Sequence, residues 1–196
     1  MQAGSTELPL FPLNTVLFPG GPLSLRIFEP RYVDMVRKCM REGAPFGVLL
    51  IRAGQEVGEV SAAADIGTSA RIIDFHQLPD GLLGILCSGE QKFRVEERRV
   101  QSDGLNVGTI TWLPLEAPSP LPPQHAHLGV LLERALPQIS NLYERLQPRF
   151  DDAGWISSRL AEILPIGLSD KQECLEMDDP LARLERLAPF IRPVEG

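Results

Sequence analysis

Residues 8–32, LPLFPLNTVLFPGGPLSLRIFEPRY, constrain the fold of this chain more than any other stretch of its sequence. Residues 8–10 and 16–18 are apolar runs of strand length. The PGGP cluster at 19–22 supplies the fixed and the positive φ angles that a reversal of the chain requires. We therefore expect a strand, a tight turn and a second strand in this segment.

The residues after this turn predict a strand followed by a helix. Leu23, Leu25 and Ile27 alternate with polar residues, which is the period of a half-buried strand. Pro30 ends the strand, because proline is excluded from the interior of a ladder but is accepted in the first turn of a helix. Apolar side chains then recur on one face, so we expect a helix near residues 30–42.

From Phe46 to Trp112 the sequence predicts a series of short strands with turns between them. Residues 46–51 are continuously apolar, which is typical of a central strand. Pro79-Asp80-Gly81 and Asp103-Gly104 are turn signals, since aspartate bonds its own backbone and glycine accepts positive φ angles. We expect mostly antiparallel hairpins that close into a barrel-like sheet.

The C-terminal third predicts a helical bundle after a proline-rich linker. We place the β unit at residues 1–115, the linker at 116–124 and the bundle at 125–193. Helical spacing predicts a first helix from Leu128 to Leu146, with a kink or break before Pro137. The other three expected helices are 152–164, one that begins with a capping box at Ser169 and Gln172, and one that Asp179-Pro180 opens. The expected fold class is therefore α+β.

Composition excludes several classes of protein. The net charge of −7 disfavours nucleic-acid binding, whose affinity comes mostly from lysine and arginine on phosphates. The longest apolar run is of strand length, far below the roughly 20 residues that span a bilayer. The N-terminus has no secretory signal, and three widely spaced cysteines are typical of reduced thiols. We therefore expect a cytoplasmic protein with no membrane and no nucleic-acid partner.

Three motifs in residues 8–32 closely resemble the start of the Lon protease N-terminal domain. They are LPLFPL, VLFPGG and LxLRIFEPRY. The resemblance continues in the C-terminal third, where WxxxRLAEILP at 155–165, KQECLE at 171–176 and DPLARLERL at 179–187 look like the helical region of that family. The sequence therefore resembles this family over nearly its whole length.

The resemblance implies a fold and a function. It implies a PUA-like β barrel followed by a helical part, and a non-catalytic module that binds unfolded or partly folded polypeptide, as an adaptor or a holdase in protein quality control. A phosphate-binding GxxxxGK[ST] loop and a Ser-x-x-Lys pair do not occur in the sequence. We expect a stand-alone protein that has no cofactor and that could act with a separate ATP-dependent protease. The sequence does not predict an oligomeric state.

Candidate residues for polypeptide binding lie in the Leu-Phe-Pro segments. A bound chain needs apolar surface that stays exposed after folding. We expect Phe11, Pro12, Phe18 and Pro19 at strand ends to supply it, with the crease between the barrel and the helical part as a second option. The alternative is that these rings cap the core, as aromatic residues at strand ends most often do.

Polar residues support several alternatives. Glu29 and Arg31 are expected to form a structural ion pair at the start of the helix. A small-molecule enzyme with a pocket between barrel and bundle could use Cys87, His76 or Glu29. His76 could join His125 and His127 as metal ligands, although a satisfied strand residue and a solvated linker end explain them more simply.

An RNA-binding PUA-like module is the remaining alternative. Its support is one basic cluster, which consists of Lys92, Arg94, Arg98 and Arg99. Glutamates interleave with this cluster, so a solvated strand face is the better explanation.

Overall fold

The structure, a computed structural model, describes residues 6–54, 60–145 and 147–191. Its contacts divide the chain into two compact units, with the boundary after Leu115. We call the part up to Leu115 the sheet unit and the part from Glu116 onward the helical unit. Among the described residues, the sheet unit holds seven strands and one α-helix, and the helical unit holds four α-helices.

The strands of the sheet unit are β1 Thr6–Leu13, β2 Pro22–Ile27, β3 Phe46–Gly54, β4 Val60–Ala63, β5 Ile66–Gln77, β6 Leu83–Val100 and β7 Asn106–Trp112. Helix α1, Pro30–Glu42, connects β2 to β3. It begins with Pro30 in its first turn and ends at Gly43, whose φ of 62° is left-handed. The helix expected near residues 30–42 is confirmed.

The strands form one mostly antiparallel sheet with the order β1-β7-β6-β5-β3-β4. Strand β1 also pairs with β3 in parallel, with Leu10 opposite Gly47, and this pairing closes the sheet on itself. Among the described strands, β2 pairs only with β6. The expected antiparallel sheet is therefore confirmed, while the designation PUA-like stays a prediction.

Both predicted hairpin turns are present. Gly81 and Gly104 have φ angles of 85° and 84°, which glycine adopts without strain. Asp80 and Asp103 each accept a hydrogen bond from the backbone N–H two residues on, at 3.2 and 2.9 Å. These local bonds reverse the chain between β5 and β6 and between β6 and β7.

The expected strand at residues 16–18 is wrong. These residues are buried but lie outside the strands, because their backbone groups bond to other partners. The Thr68 hydroxyl donates to the carbonyl oxygen of Leu17 at 2.5 Å, and the N–H of Gly21 donates to the carbonyl oxygen of Phe18 at 3.0 Å. The residues therefore line the core as an irregular segment.

Two apolar clusters fill the sheet unit. The larger cluster lies under α1, which buries Tyr32, Met35, Val36 and Cys39 against β1, β3 and β6. The smaller cluster gathers around Phe93, whose ring meets Trp112 edge to face. Residues 46–51 are buried on both faces of β3, as expected of a central strand.

The helical unit contains α2 Ala126–Ile139, α3 Ala153–Ile163, α4 Leu168–Glu176 and α5 Pro180–Leu187. The first helix is shorter than the predicted one: it continues through Pro137 but ends at Ile139, and residues 141–145 form a 3₁₀ helix. Leu146 lies outside the described residues. That these helices form a bundle stays a prediction.

Of the two helix caps that the sequence predicts, the one at Asp179 is confirmed, and Asp152 is a cap as well. Asp152 and Asp179 each accept hydrogen bonds from two backbone N–H groups at the start of α3 and α5. The capping box at Ser169 is wrong, because α4 begins one residue earlier and Gly167 is its N-cap without a side-chain bond. Gln172 instead donates to Glu176 at 2.8 Å.

The proline-rich segment is extended and is bonded to the helical unit. The N–H of Leu121 donates to the carbonyl oxygen of Asp151 at 2.7 Å, and the N–H of Ala153 donates to that of Ser119 at 2.7 Å. The assignment of residues 116–124 as a linker between two domains stays a prediction.

Candidate functional site

A cleft of about 260 Å³ lies beside β2 in the sheet unit, and we call it the β2 cleft. It follows the strand from Ser24 to Ile27 and continues to the start of α1. Its opposite wall comes from the end of β1 and from α1. It is lined by Phe11, Leu13, Ser24, Leu25, Arg26, Ile27, Phe28, Glu29 and Tyr32.

Stacked aromatic rings form one side of the β2 cleft. The rings of Phe11 and Tyr32 are stacked, with centroids 3.8 Å apart and planes at 14°. The Arg31 guanidinium lies 4.8 Å from the centroid of the Tyr32 ring, and its Nη2 lies 2.8 Å from Glu29 Oε2. Arg31 Nη1 also donates to the Gly104 carbonyl oxygen at 2.9 Å. These contacts fix the apolar wall in place.

Two phenylalanine rings of the sheet unit are exposed, and one of them lines the cleft. Phe28 lines the cleft and is 52% exposed, and Phe75 on β5 is 57% exposed. Leu25 and Phe75 both lie opposite Ile85 of the central strand β6, so the three side chains share one face of the sheet. This apolar face therefore extends from the cleft to solvent.

The residues predicted for polypeptide binding are placed differently from the expectation. Phe11, Pro12 and Phe18 are buried, and Pro19 is half-buried. Phe11 lines the cleft but is only 7% exposed, so it cannot offer its whole ring to a partner. The exposure that the prediction required is found at Phe28 and Phe75 instead.

These two phenylalanines were not among the residues predicted from the sequence, although a signal for Phe28 exists. Ile27 and Phe28 are consecutive apolar residues at the end of an alternating strand, so one of them has to face away from the core. Ile27 is buried and Phe28 is exposed. No local pattern predicts the position of Phe75, because the β5–β6 ladder shifts its register between Ile72 and Asp74 and interrupts the alternation of β5 just before it.

The charged groups around the cleft are paired. Arg26 forms an ion pair with Asp80 of the β5–β6 turn, and Glu29 forms one with Arg31. The cleft therefore presents apolar side chains and backbone with little uncompensated charge. Within the described residues, no group of three or more histidine, cysteine, aspartate or glutamate side chains could hold a metal ion.

The nucleophile pair that Cys87 and His76 would supply in the enzyme alternative does not form. In the sheet register His76 lies opposite Gly84 and Cys87 lies opposite Ile72, which places the two side chains on opposite faces. Burial raises the pKa of the Cys87 thiol to about 12, so it stays protonated and inert at neutral pH. The His76 ring lies over Gly84, where an added Cβ would come within 2.7 Å of Nε2.

A second cleft of about 380 Å³ lies between α1 and the start of β1. Charged residues of α1, among them Asp34, Lys38 and Glu42, line it together with Trp112. Cys39 also lines it, but burial raises the pKa of this thiol to about 11. The cleft therefore contains no activated thiol nucleophile.

Three of the four residues of the predicted basic cluster on β6 are buried or bonded within the protein, and Arg94 is exposed. Lys92 is buried, and Arg99 lies 2.8 Å from Glu7. Arg98 donates to the carbonyl oxygens of Ala63 and Ala64 at 3.0 and 2.6 Å, and it pairs with Asp65 at 2.7 Å. These bonds do not favour the RNA-binding alternative, because phosphates would have to displace them.

Across the part of the chain that the structure describes, no helix combines the length and the hydropathy needed to cross a bilayer.

Comparisons with known proteins agree on one family. The model of the ATP-dependent protease La (LON) substrate-binding domain matches residues 7–192. The Lon protease of Brevibacillus choshinensis is 27% identical over 97% of this chain, and cereblon of Xenopus tropicalis is 31% identical over 55% of it. These matches cover 25% and 24% of the two relatives, so the chain spans about a quarter of their length.

Solved structures give the same similarity. The Lon N-terminal domain protein from Xanthomonas campestris is 40% identical and superposes with a TM-score of 0.78, over 95% of this chain and 99% of that one. The N-terminal domain of the Mycobacterium avium complex Lon protease has a TM-score of 0.62 at 15% identity, over 94% of this chain and 97% of that one, which shows a shared fold.

Proposed function

Since the chain belongs to the LON substrate-binding domain family, we propose that it binds segments of unfolded or partly folded polypeptide at the β2 cleft. The family membership supports a substrate-binding role. The β2 cleft, the half-exposed ring of Phe28 that lines it and the exposed ring of Phe75 on β5 support this location. We also infer that the closed sheet is PUA-like and that the helices form a bundle.

The exposure of Phe28 and Phe75 carries the proposal. Large aromatic rings that remain half in solvent beside an apolar cleft lose contact with water when a partner covers them. Folded proteins rarely expose large contiguous apolar surfaces, whereas unfolded chains expose most of their apolar side chains. The site therefore selects polypeptide that has not completed folding.

Roles as an adaptor or a holdase extend this proposal. A module that binds exposed apolar segments could deliver them to a separate ATP-dependent protease or keep them from aggregating. We propose a non-catalytic role, because the Cys87 and Cys39 thiols are buried and protonated and Glu29 is engaged by Arg31. A cytoplasmic location and a stand-alone chain stay predictions.

A binding experiment tests the proposal. Fluorescence anisotropy would follow a labelled test protein that reduction and carboxymethylation keep unfolded. The double variant Phe28→Ser and Phe75→Ser should bind it about 30-fold more weakly, because two half-exposed rings lose about 1 kcal/mol of burial each. The native form of the same test protein should not bind.

Val100→Ser is the matched control. Val100 is an exposed apolar residue of the same unit, at the C-terminal end of β6, whereas the strand pairs with β2 near its start. Its replacement should leave the affinity unchanged. Equal binding by the double variant and the wild type would contradict the proposed site, and no binding by the wild type would contradict the proposed function.

A further inference from the structure

Strand β2 has one free edge in the sheet. It pairs with β6 from Pro22 opposite Ser88 to Ile27 opposite Leu83. No other strand among the described residues pairs with its opposite edge. An unpaired edge presents a row of backbone donors and acceptors to whatever lies beside it.

The hydrogen-bond register shows which residues of β2 present these groups. The N–H of Gly89 donates to the carbonyl oxygen of Gly21, at the start of the β2–β6 ladder. Antiparallel pairs exchange bonds at every second residue. Leu23, Leu25 and Ile27 therefore bond to β6, while the N–H and C=O groups of Ser24 and Arg26 point away from it.

The other side of β6 supports this assignment independently. The N–H of Leu78 donates to the carbonyl oxygen of Leu82 in the β5–β6 hairpin. Even-numbered residues of β6 therefore bond to β5, which leaves its odd-numbered residues for β2. Gly84 belongs to the first group and Ile85 to the second. Both ladders thus leave the same two residues of β2 free, Ser24 and Arg26.

The β2 cleft lies along this free edge. Side chains from both faces of β2 line it, Leu25 and Ile27 from the apolar face and Ser24 and Arg26 from the polar face. A chain lying there would meet backbone groups along its length and the apolar wall of Phe11, Leu13 and Tyr32 on one side.

We propose that an extended polypeptide segment binds as an additional strand on the free edge of β2, bonding to the backbone of Ser24 and Arg26. This mode of binding rests on the proposed function and names its occupant: a short extended stretch whose apolar side chains alternate with polar ones. The apolar side chains pack on the wall of the cleft, and the polar ones lie beside Ser24 and Arg26.

Charge and size favour this occupant over a small ligand. The ionic groups at the edge are already paired, Arg26 with Asp80 and Glu29 with Arg31, so an uncharged strand fits and its binding should depend weakly on salt. The volume of about 260 Å³ is below the roughly 300–1,000 Å³ of small-molecule pockets. The cleft can hold a few side chains of a polypeptide that continues beyond both ends of the cleft.

Two variants of one residue test the backbone bonds. Ser24→Pro removes an N–H that points away from β6, so the β2–β6 ladder keeps its bonds, and proline is accepted on strand edges. It should lower the affinity for the unfolded test protein about ten-fold or more, because a bond is lost and the ring blocks the added strand. Ser24→Ala keeps the N–H and should bind as the wild type does.

A measurement on the wild-type protein avoids the risk that Ser24→Pro misfolds. The probe is the uncharged peptide acetyl-Ser-Thr-Val-Thr-Val-Thr-Ser-amide. At saturation, amide hydrogen exchange should slow at least ten-fold at Ser24 and Arg26 and change little at Leu25, which already bonds to β6. N-methylation of every second peptide residue should abolish binding when it removes the N–H groups that face β2. The peptide that is methylated at the other residues should still bind.

The outcomes separate this proposal from the proposed function. If the wild type binds the unfolded protein while Ser24→Pro binds equally well and exchange at Ser24 and Arg26 is unchanged, strand addition is wrong and apolar binding stands. If the wild type binds neither probe, the proposed function fails. A dimer in solution with both amides protected before peptide is added would show that a second copy occupies the edge and would overturn the proposal.

Discussion

Replacing Arg183 by methionine should strongly destabilise the helical unit. Arg183 lies on α5 and its side chain is only 2% exposed. Its guanidinium donates to the hydroxyls of Ser157 and Ser158, both at 3.1 Å. It also donates to Glu116 Oε2 and to the carbonyl oxygen of Met177, both at 3.0 Å. One buried cation therefore connects α5 to α3, to the residue after α4 and to the first residue of the unit.

The cost follows from what the variant leaves behind. Methionine fills the space of the aliphatic stem but cannot donate, so Glu116 and the Met177 carbonyl lose their partner. Removal of one member of a buried ion pair costs about 3–5 kcal/mol. Because the Glu116 side chain is 25% exposed and water can solvate it in part, we expect the lower value, about 3 kcal/mol. A unit of about 80 residues has only about 4–12 kcal/mol in total.

Arg186→Met on the same helix is the matched control. Arg186 also forms ion pairs, with Asp170 and Glu173, but its side chain is 39% exposed. Exposed pairs contribute about 0–1 kcal/mol. The free energy of unfolding should fall by about 1 kcal/mol per M of urea. The urea concentration at the unfolding midpoint should therefore decrease by about 3 M for Arg183→Met and by less than 1 M for Arg186→Met.

The assay is urea unfolding followed by the fluorescence of Trp155 on α3, in a Trp112→Phe background. Trp155 is the reporter because it is buried in the helical unit, where its ring meets Phe150 edge to face. A Glu116→Gln variant and the double variant complete a cycle, which should give a coupling of about 1 kcal/mol or more. Equal midpoint shifts for the two arginine variants would refute the reasoning that burial decides the cost.

Three further predictions follow from single side chains. Asp179→Ala should cost about 1 kcal/mol in thermal unfolding, because it removes the N-cap of α5, whereas Ser169→Ala should cost almost nothing; equal losses would contradict this assignment of the caps. Gly89→Ala should prevent folding, since the new Cβ would lie 2.2 Å from the carbonyl oxygen of Phe18, and a wild-type circular dichroism spectrum would disprove that contact. The Cys87 thiol should resist a thiolate-specific reagent at pH 8 until urea is added, because burial raises its pKa to about 12. The thiol ionises near pH 9 in the unfolded chain and near pH 12 in the folded protein. The contribution of the protonated thiol to the free energy of unfolding is therefore complete below pH 9 and falls by about 1.4 kcal/mol per pH unit between pH 9 and 12. A free energy of unfolding that stays constant across this range would exclude the linkage.

Local signals in the sequence predicted the turns and most helix starts. The turn at Gly81 and the cap at Asp179 depend on bonds between residues two or three apart, so nearby residue types determine them. Continuous apolarity correctly predicted a central strand at residues 46–51, because a strand that is buried on both faces needs an apolar residue at every position. The sequence predicted a mostly antiparallel, barrel-like sheet but not which strands would pair, because strand partners are distant in sequence.

Predictions failed where a distant residue provides the partner. Residues 16–18 have the composition of a strand, but bonds from Thr68 and Gly21 hold their carbonyl groups in an irregular path. The same segment places Phe18 in the core, which is the alternative to polypeptide binding that the sequence left open for this ring. Apolar character predicts that a residue tends to be buried, but not which apolar residues a finite core leaves outside.

The sequence by itself determined the alternation of β2, the turns on either side of β6 and, through its motifs, the resemblance to the LON substrate-binding domain. These features depend on the order of neighbouring residues. Tertiary structure alone decided that β2 has a free edge, because that depends on which strand pairs with it and which does not. It also brought Leu25 and Phe75 to the same face through their shared partner Ile85, a proximity that no local pattern encodes.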